Sequence, residues 1–265
     1  MDYQWKDTLL PLIYEAGERM LNAHDVERED RVEAKPGDAN FVTVYDVMIQ
    51  DYLLNGLAER FPGACFVAEE QENDAAVLEA EVCFVVDPID GTSNFMHDFR
   101  HSAISVGMLS RGEMVAGAVY DPYLNEMFYA EKGKGAVLND RPISVIKRPA
   151  SRALVSYGTA LYYKDRLGDA TIGITKEVFH TFADVRRGGS AALDLAYVAA
   201  GRSDLFFECL LSPWDIAAGA LLITEAGGVI TDMRGEPISL KQPSSVIAGE
   251  PSLYPVLLEI TKKYC

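Results

Sequence analysis

Histidine and cysteine are scarce, four of each in 265 residues. The cysteines, Cys65, Cys83, Cys209 and Cys265, form no C-x-x-C pair, and His24, His97, His101 and His180 make no zinc pattern with them. That sets aside zinc-ribbon and dithiol redox sites, and a disulfide scaffold is not needed at this length. Reduced thiols in a cytoplasmic protein are expected, with Cys65 and Cys83 in the core. Long apolar runs are missing too. Ile216 to Ile223 is among the longest and falls far short of the roughly 20 residues a membrane-spanning helix needs. Met1 to Met20 carries acids and no cleavage-type segment, so no signal peptide is expected. Basic residues are outnumbered, 24 Lys and Arg against 40 Asp and Glu, for a net charge of -16. Such a surface argues against nucleic-acid backbones and anionic membranes as partners. It leaves room for a phosphorylated substrate, because bound divalent cations would invert the sign locally.

What is present centres on Val82 to Phe95, V-C-F-V-V-D-P-I-D-G-T-S-N-F. Val82 to Val86 is short and rich in β-branched residues, as in a strand buried on both faces. Pro88 lacks a backbone N–H and is expected to end it. Two acids, Asp87 and Asp90, then stand at the carboxyl end of a buried strand, followed by the small residues Gly91, Thr92, Ser93 and Asn94. An ordinary turn uses the same residue types. Other acids stand in comparable places: Glu69 and Glu70 after the strand Cys65 to Ala68, Asp46 in the first turn of a helix, and Asp215 at the start of another. Read singly, Asp46 and Asp215 are helix caps or ligands, and Glu70 a solvated neighbour. Oxygen donors from several segments, without histidine or thiolate, match a hard cation such as Mg²⁺.

Around these motifs the chain alternates. Trp5, Leu9, Leu12, Ile13, Ala16 and Met20 share one helical face. His24 to Asn40 is expected to be a mobile charged loop carrying Lys35, which could move toward a phosphate. A second helix, about 43–60, should turn Val47, Leu54, Leu57 and Ala58 inward. Gln71 to Glu81 reads as an acidic connector. Ala103 to Leu109, Met114 to Tyr120 and Glu126 to Tyr129 read as an antiparallel meander that 136–138 continues. Arg148-Pro149 marks a boundary between halves, 1–149 and 150–265, of a single unit covering 1–265. The second half alternates strand and helix: strands at 153–157, 184–187, 204–208, 229–232 and 245–248, helices at 171–183, after Gly188-Gly189-Ser190, after Ser212-Pro213, and at 253–264. The class is α+β (mixed α/β), with layered elements rather than a pure doubly wound sheet.

Two other phosphate or cation motifs fail on spacing. An aspartyl-phosphate phosphatase of the haloacid-dehalogenase type needs D-x-D-G-T, but Pro88 stands two before Asp90, so a covalent aspartyl intermediate is disfavoured. The alternation of an EF-hand loop is absent.

D-P-I-D-G-T-S-N-F at 87–95, F-V-A-E-E at 66–70 and W-D-I-A-A-G-A-L-L-I-T-E-A-G-G at 214–228 resemble the inositol monophosphatase family, in its order and spacing and over nearly the whole chain. Ser93 and Ser190 stand where that family often has Thr, and both keep the hydroxyl. The resemblance implies an αβαβα layered sandwich and hydrolysis of a sugar or polyol monophosphate, inositol monophosphate first, with two or three Mg²⁺. It implies metal ligation by Glu69, Asp87, the carbonyl of Ile89, Asp90 and Asp215, with Asp46 at a third ion. Glu69 and Thr92 would orient the attacking water, Asp90 would serve catalysis as well, and no phospho-enzyme would form. Asp90, Gly91, Thr92, Gly189, Ala191 and Glu208 would bind substrate. Homodimers and lithium inhibition are also implied. Relatives acting on fructose 1,6-bisphosphate, histidinol phosphate or 3′-phosphoadenosine 5′-phosphate, and a non-catalytic metal-binding regulator, are the alternatives.

Overall fold

The computed structural model describes residues 5–23, 32–34 and 41–265. Lys35 and His24 lie outside them. Helix α1 (Trp5–Leu21) and helix α2 (Val44–Arg60) flank a two-stranded ribbon of β1 (Val32–Ala34) and β2 (Phe41–Thr43), paired antiparallel. This corrects the expectation of an unstructured loop across 24–40 at Val32–Ala34; the remainder of that stretch is outside the described residues. The inward face of α2 is also corrected. Ile49, Leu53 and Leu57 are buried, whereas Val47 and Ala58 are exposed. The stripe Ile49, Leu53 and Leu57, spaced four apart, packs on the large sheet, and Thr43 and Asp46 form a capping box where the helix begins.

A seven-stranded sheet follows, in the order β3-β4-β5-β6-β7-β8-β9, from β3 (Cys65–Ala68), β4 (Cys83–Asp90), β5 (Ala103–Ser110), β6 (Glu113–Asp121), β7 (Glu126–Glu131), β8 (Gly135–Leu138) and β9 (Arg141–Ile143). β3 and β4 run parallel, and the rest is the expected meander. The acidic connector between β3 and β4 contains a short 3₁₀ turn, Ala75–Glu79. A five-residue helix, α3 (Thr92–Met96), leaves the end of β4.

The second sheet has five strands, β11-β10-β12-β14-β13. They are β10 (Leu154–Tyr157), β11 (Asp184–Arg186), β12 (Leu205–Leu211), β13 (Val229–Thr231) and β14 (Ser244–Gly249). Its helices are α4 (Lys164–Thr181), α5 (Ala191–Ala199), α6 (Pro213–Glu225) and α7 (Tyr254–Thr261). α4 starts about two turns earlier than the apolar spacing from Thr171 predicts, because its first turns are exposed and carry no core pattern. The closing helix ends at Thr261 and passes into a 3₁₀ turn, Lys262–Tyr264.

These pieces stack as five layers. Leu9, Leu12, Ile13 and Met20 of α1 and Ile49, Leu53 and Leu57 of α2 pack on Phe84, Val86, Val106 and Ala118 of the large sheet. The other face of that sheet, through Val119, Phe128 and Ala130, packs with α5 and α6 against Phe206, Val246 and Ala248 of the small sheet. Beyond it, Ile174 and Val178 of α4 and Leu257 and Ile260 of α7 cover Val155, Leu205, Phe207 and Ile247. Phe206 faces one layer while Leu205 and Phe207 face the other, the period-two alternation of a strand buried on both sides. The αβαβα sandwich is as expected. α5 and α6, clamped between two sheets, are apolar all round, which is the composition a fully buried helix needs.

Candidate active site

The acids converge where β3, β4 and α6 end or begin. Glu69 extends β3, its N–H donating to Val86 O at 3.2 Å, which sets it beside Asp87 across the parallel pair. Pro88 does not end the strand. β4 continues to Asp90, with a register shift between Asp87 and Asp90 against β5. A bulge leaves a residue out of the ladder, so the missing N–H of Pro88 costs nothing there. Ile89 N–H donates to Asp87 Oδ1 at 3.0 Å, and the two carboxylates are re-aimed toward one point. Asp215 arrives from the start of α6, where it accepts from Ser212 N–H at 2.7 Å and completes a capping box. Carboxylate oxygens of Asp87, Asp90 and Asp215 lie within 4.8 Å of one another.

These three form no ion pair with Lys, Arg or His among the described residues. Burial raises Asp87 well above the carboxylate range, and the neighbouring Glu69, Asp90, Asp215 and Asp46 raise it further. Asp215 is raised likewise, by burial first and then by Asp90 and Glu69. Burial pushes Asp90 up to about 6, against the pull of the Ser190 hydroxyl and the N–H groups of Ala192 and Ala191. Buried like charges at this separation repel unless a cation joins them. Donors that are all oxygen, drawn from three segments, fit a hard divalent ion. The residues present therefore fit Mg²⁺, with Glu69, Asp87, Asp90, Asp215 and the Ile89 carbonyl as holders.

Asp46 and Thr92 complete this wall. Thr92 Oγ1 stands 3.2 Å from Ile89 O and 3.3 Å from Asp46 Oδ1, donating to either. Its proton is thus committed, and its lone pairs are free to accept. Gly91 takes φ +92°, and a Cβ there would stand 3.0 Å from Gly189 O. Only glycine meets both conditions at low cost. Gly189 approaches from the turn before α5, and Asn94 Nδ2 ties that turn down by donating to Gly188 O at 3.0 Å. Ser190 Oγ and Ala192 N–H, the latter at 2.7 Å, both donate to Asp90 Oδ2.

A cavity of about 420 Å³ opens over these groups, and Glu69, Asp87, Ile89, Asp90, Gly91, Thr92, Gly189, Ala191, Glu208 and Asp215 all line it. Asp46 does not line it and acts from behind Thr92. Glu208 differs from expectation in being partly committed. Its Oε1 accepts from Ala160 N–H at 2.8 Å, and burial pushes it up to about 7. Gly158 must be glycine, since a Cβ there would fall 1.9 Å from Glu208 Oε2. Arg187 and Asp194, not singled out from the sequence, also line the cavity, as does Tyr162 of the 3₁₀ turn Leu161–Tyr163. Asp194 had a signal, a lone acid within the apolar helix A-A-L-D-L-A-Y-V-A. Tyr162 lies in the stretch 157–166, which the sequence marks only as bearing on specificity.

The sequence profile of the inositol monophosphatase family matches residues 3–264. The chain belongs to the inositol monophosphatase family. Among curated relatives, the inositol-1-monophosphatase of Bacillus subtilis (strain 168) is 34% identical over 250 residues, covering 93% of this chain and 92% of that protein. The Nus factor SuhB of Escherichia coli (strain K12) is 37% identical over 240 residues, covering 90% and 89%. Among solved structures, an IMPase from Thermotoga maritima aligns with a TM-score of 0.88 at 30% identity, covering 99% of this chain and 98% of that one. Family membership supports a metal-dependent phosphatase, and the acidic cluster here is one that could bind metal.

Proposed function

We propose that this protein hydrolyses phosphomonoesters of sugars or polyols, inositol monophosphate first, with Mg²⁺ held by Glu69, Asp87, the Ile89 carbonyl, Asp90 and Asp215, and with Asp46 bearing on a further ion. The observation that carries this reading is the set of three carboxylates within 4.8 Å, Asp87 and Asp90 buried and Asp215 half-buried, without an ion-pair partner among the described residues. When bound, such ions neutralise the phosphate and activate water at neutral pH. Thr92 accepts a hydrogen bond from the attacking water, because its own proton is spent on Asp46 or Ile89 O. Glu69 takes up the proton from the other side. Gly91 and Thr92 cradle the phosphate. Asp90, Gly189, Ala191 and Glu208 hold the alcohol. No side chain forms a phosphoryl ester; positioning and charge supply the rate. Cytoplasmic location, a homodimer and lithium inhibition belong to the same reading. Among the described residues no helix is long and apolar enough to cross a membrane.

Phosphate release from a panel of sugar, polyol and nucleotide monophosphates, with Mg²⁺ and with chelator, tests it. Mg²⁺-dependent release from at least one polyol ester is expected. A second reading, a regulatory protein in which turnover is incidental, is favoured by the 37% identity to a relative named Nus factor SuhB. Cation binding without release from any ester would select it.

A further inference from the structure

Among the described residues, Arg187 is the single basic one lining the 420 Å³ cavity. It follows β11 and precedes the Gly188-Gly189 turn. Arg186, its neighbour in sequence, is ion-paired to Asp184 and lies outside the cavity. Arg187 makes no ion pair among the described residues, and its hydrogen bond is a long one, Nη2 to Thr159 Oγ1 at 3.4 Å. The guanidinium lies over Gly189, where an added Cβ would stand 2.5 Å from Arg187 Nη1. Glycine at 189 therefore serves two purposes: it takes φ +91°, and it leaves the space the guanidinium fills. Burial raises the carboxyls of Glu208 and Asp194 and lowers the imidazole of His101, and the Arg187 charge draws all three down by a smaller amount. Arg187 lines the same cavity as Glu208 and Asp194, where the alcohol of the substrate would sit.

We infer that Arg187 is a specificity-determining residue that selects phosphomonoesters whose alcohol carries a second anionic group. The inference rests on the phosphatase reading above and moves the first substrate from inositol monophosphate to an ester that carries a second phosphate or carboxylate. A guanidinium free of ion pairs among the described residues, exposed at the rim of the cavity, offers a bidentate fork to a phosphate or carboxylate and gives nothing comparable to a neutral hydroxyl. Elsewhere the same wall is acidic, with Asp194 and Glu208, and would repel such a group. The second anion therefore has one place to go, between Arg187 and the Thr159 hydroxyl.

The test is kinetic, on myo-inositol 1-phosphate and myo-inositol 1,4-bisphosphate with Mg²⁺, for the wild type, Arg187→Gln, Arg187→Lys and Arg186→Gln. The wild type should favour the bisphosphate through KM. Arg187→Gln should lower the bisphosphate-to-monophosphate ratio of kcat/KM about tenfold or more, the loss expected for a hydrogen bond to a charged group. Arg187→Lys should restore part of it, and Arg186→Gln should leave the ratio in place. Equal losses on both esters in Arg187→Gln would mean that Arg187 holds the scissile phosphate, and would overturn the inference alone. An unchanged ratio, or a wild type without preference for the bisphosphate, would overturn it also. A wild type that releases phosphate from neither ester would remove the phosphatase reading, and this inference with it.

Discussion

Thr92 and Asp46 meet at 3.3 Å across 46 residues of sequence, one at the start of a short helix after β4 and the other in the capping box of α2. Asp46 thereby does two things. Its Oδ2 accepts from Thr43 N–H at 2.7 Å and so closes the helix end, while its Oδ1 fixes where the Thr92 hydroxyl points. A residue that sequence statistics assign to capping also orients a proton in the site.

This relationship sets the first prediction. Thr92→Val keeps the shape and removes the hydroxyl, and should lower kcat by about 10²–10⁴-fold, the usual worth of a positioned proton acceptor. Thr92→Ser should retain most activity. Thermal unfolding of both should stay near wild type, because Asp46 keeps its Thr43 partners. A Thr92→Val enzyme with near-normal kcat would remove Thr92 from the chemistry.

Asp90→Asn should leave circular dichroism unchanged, since the amide oxygen can still accept from Ala192 N–H and Ser190. It should cut turnover by about three orders of magnitude, several kcal/mol of lost charge stabilisation at 1.36 kcal/mol per tenfold. Without metal the variant should be at least as stable as wild type, because one of the mutually repelling carboxylates is gone. Calorimetry should show weaker Mg²⁺ binding. Turnover close to wild type would sink the assignment of Asp90 as a ligand.

Stability should depend on pH and on metal together. Burial lifts Asp90 to about 6 and Glu208 to about 7 in the folded state, above the ordinary 3.8 and 4.5. Between the two sets of values the folded chain binds more protons than the unfolded one, so unfolding free energy falls as pH rises. With chelator present, the melting temperature should decline from about pH 4 to pH 7, the window these values span. Added Mg²⁺ competes with those protons, and its stabilising effect should grow across the same window. A chelated protein that becomes steadily more stable from about pH 4 toward pH 7 would contradict this.

Gly158→Ala should be costly for so small a change. Its Cβ would fall 1.9 Å from Glu208 Oε2, displacing the carboxylate that receives Ala160 N–H at 2.8 Å. Overpacking and loss of a charge-assisted hydrogen bond together cost about 2–5 kcal/mol. Denaturant unfolding should register that loss, and KM should rise because Glu208 no longer faces the alcohol. Wild-type stability in this variant would show that the Gly158–Glu208 contact is not needed.

The sequence by itself determined the class of chemistry and most of the elements. Strand and helix periodicities repeat along the chain, so β4, the meander and α6 could be read from neighbouring residues alone. Oxygen-only donors and the three-residue step from Asp87 to Asp90 pointed to a hard cation and away from an aspartyl nucleophile. Tertiary structure decided what depends on distant segments meeting. Pro88 sits inside β4 because a bulge against β5 removes the need for its N–H. Val47 and Ala58 turn outward because the stripe Ile49, Leu53 and Leu57 faces the large sheet. Glu208 is tied to Ala160, and Arg187 lies over Gly189, because β12 and β11 bring those loops together. The Glu208–Ala160 bond joins residues 48 positions apart. Local patterning records which face of an element is buried, and only packing decides which side chains share that space.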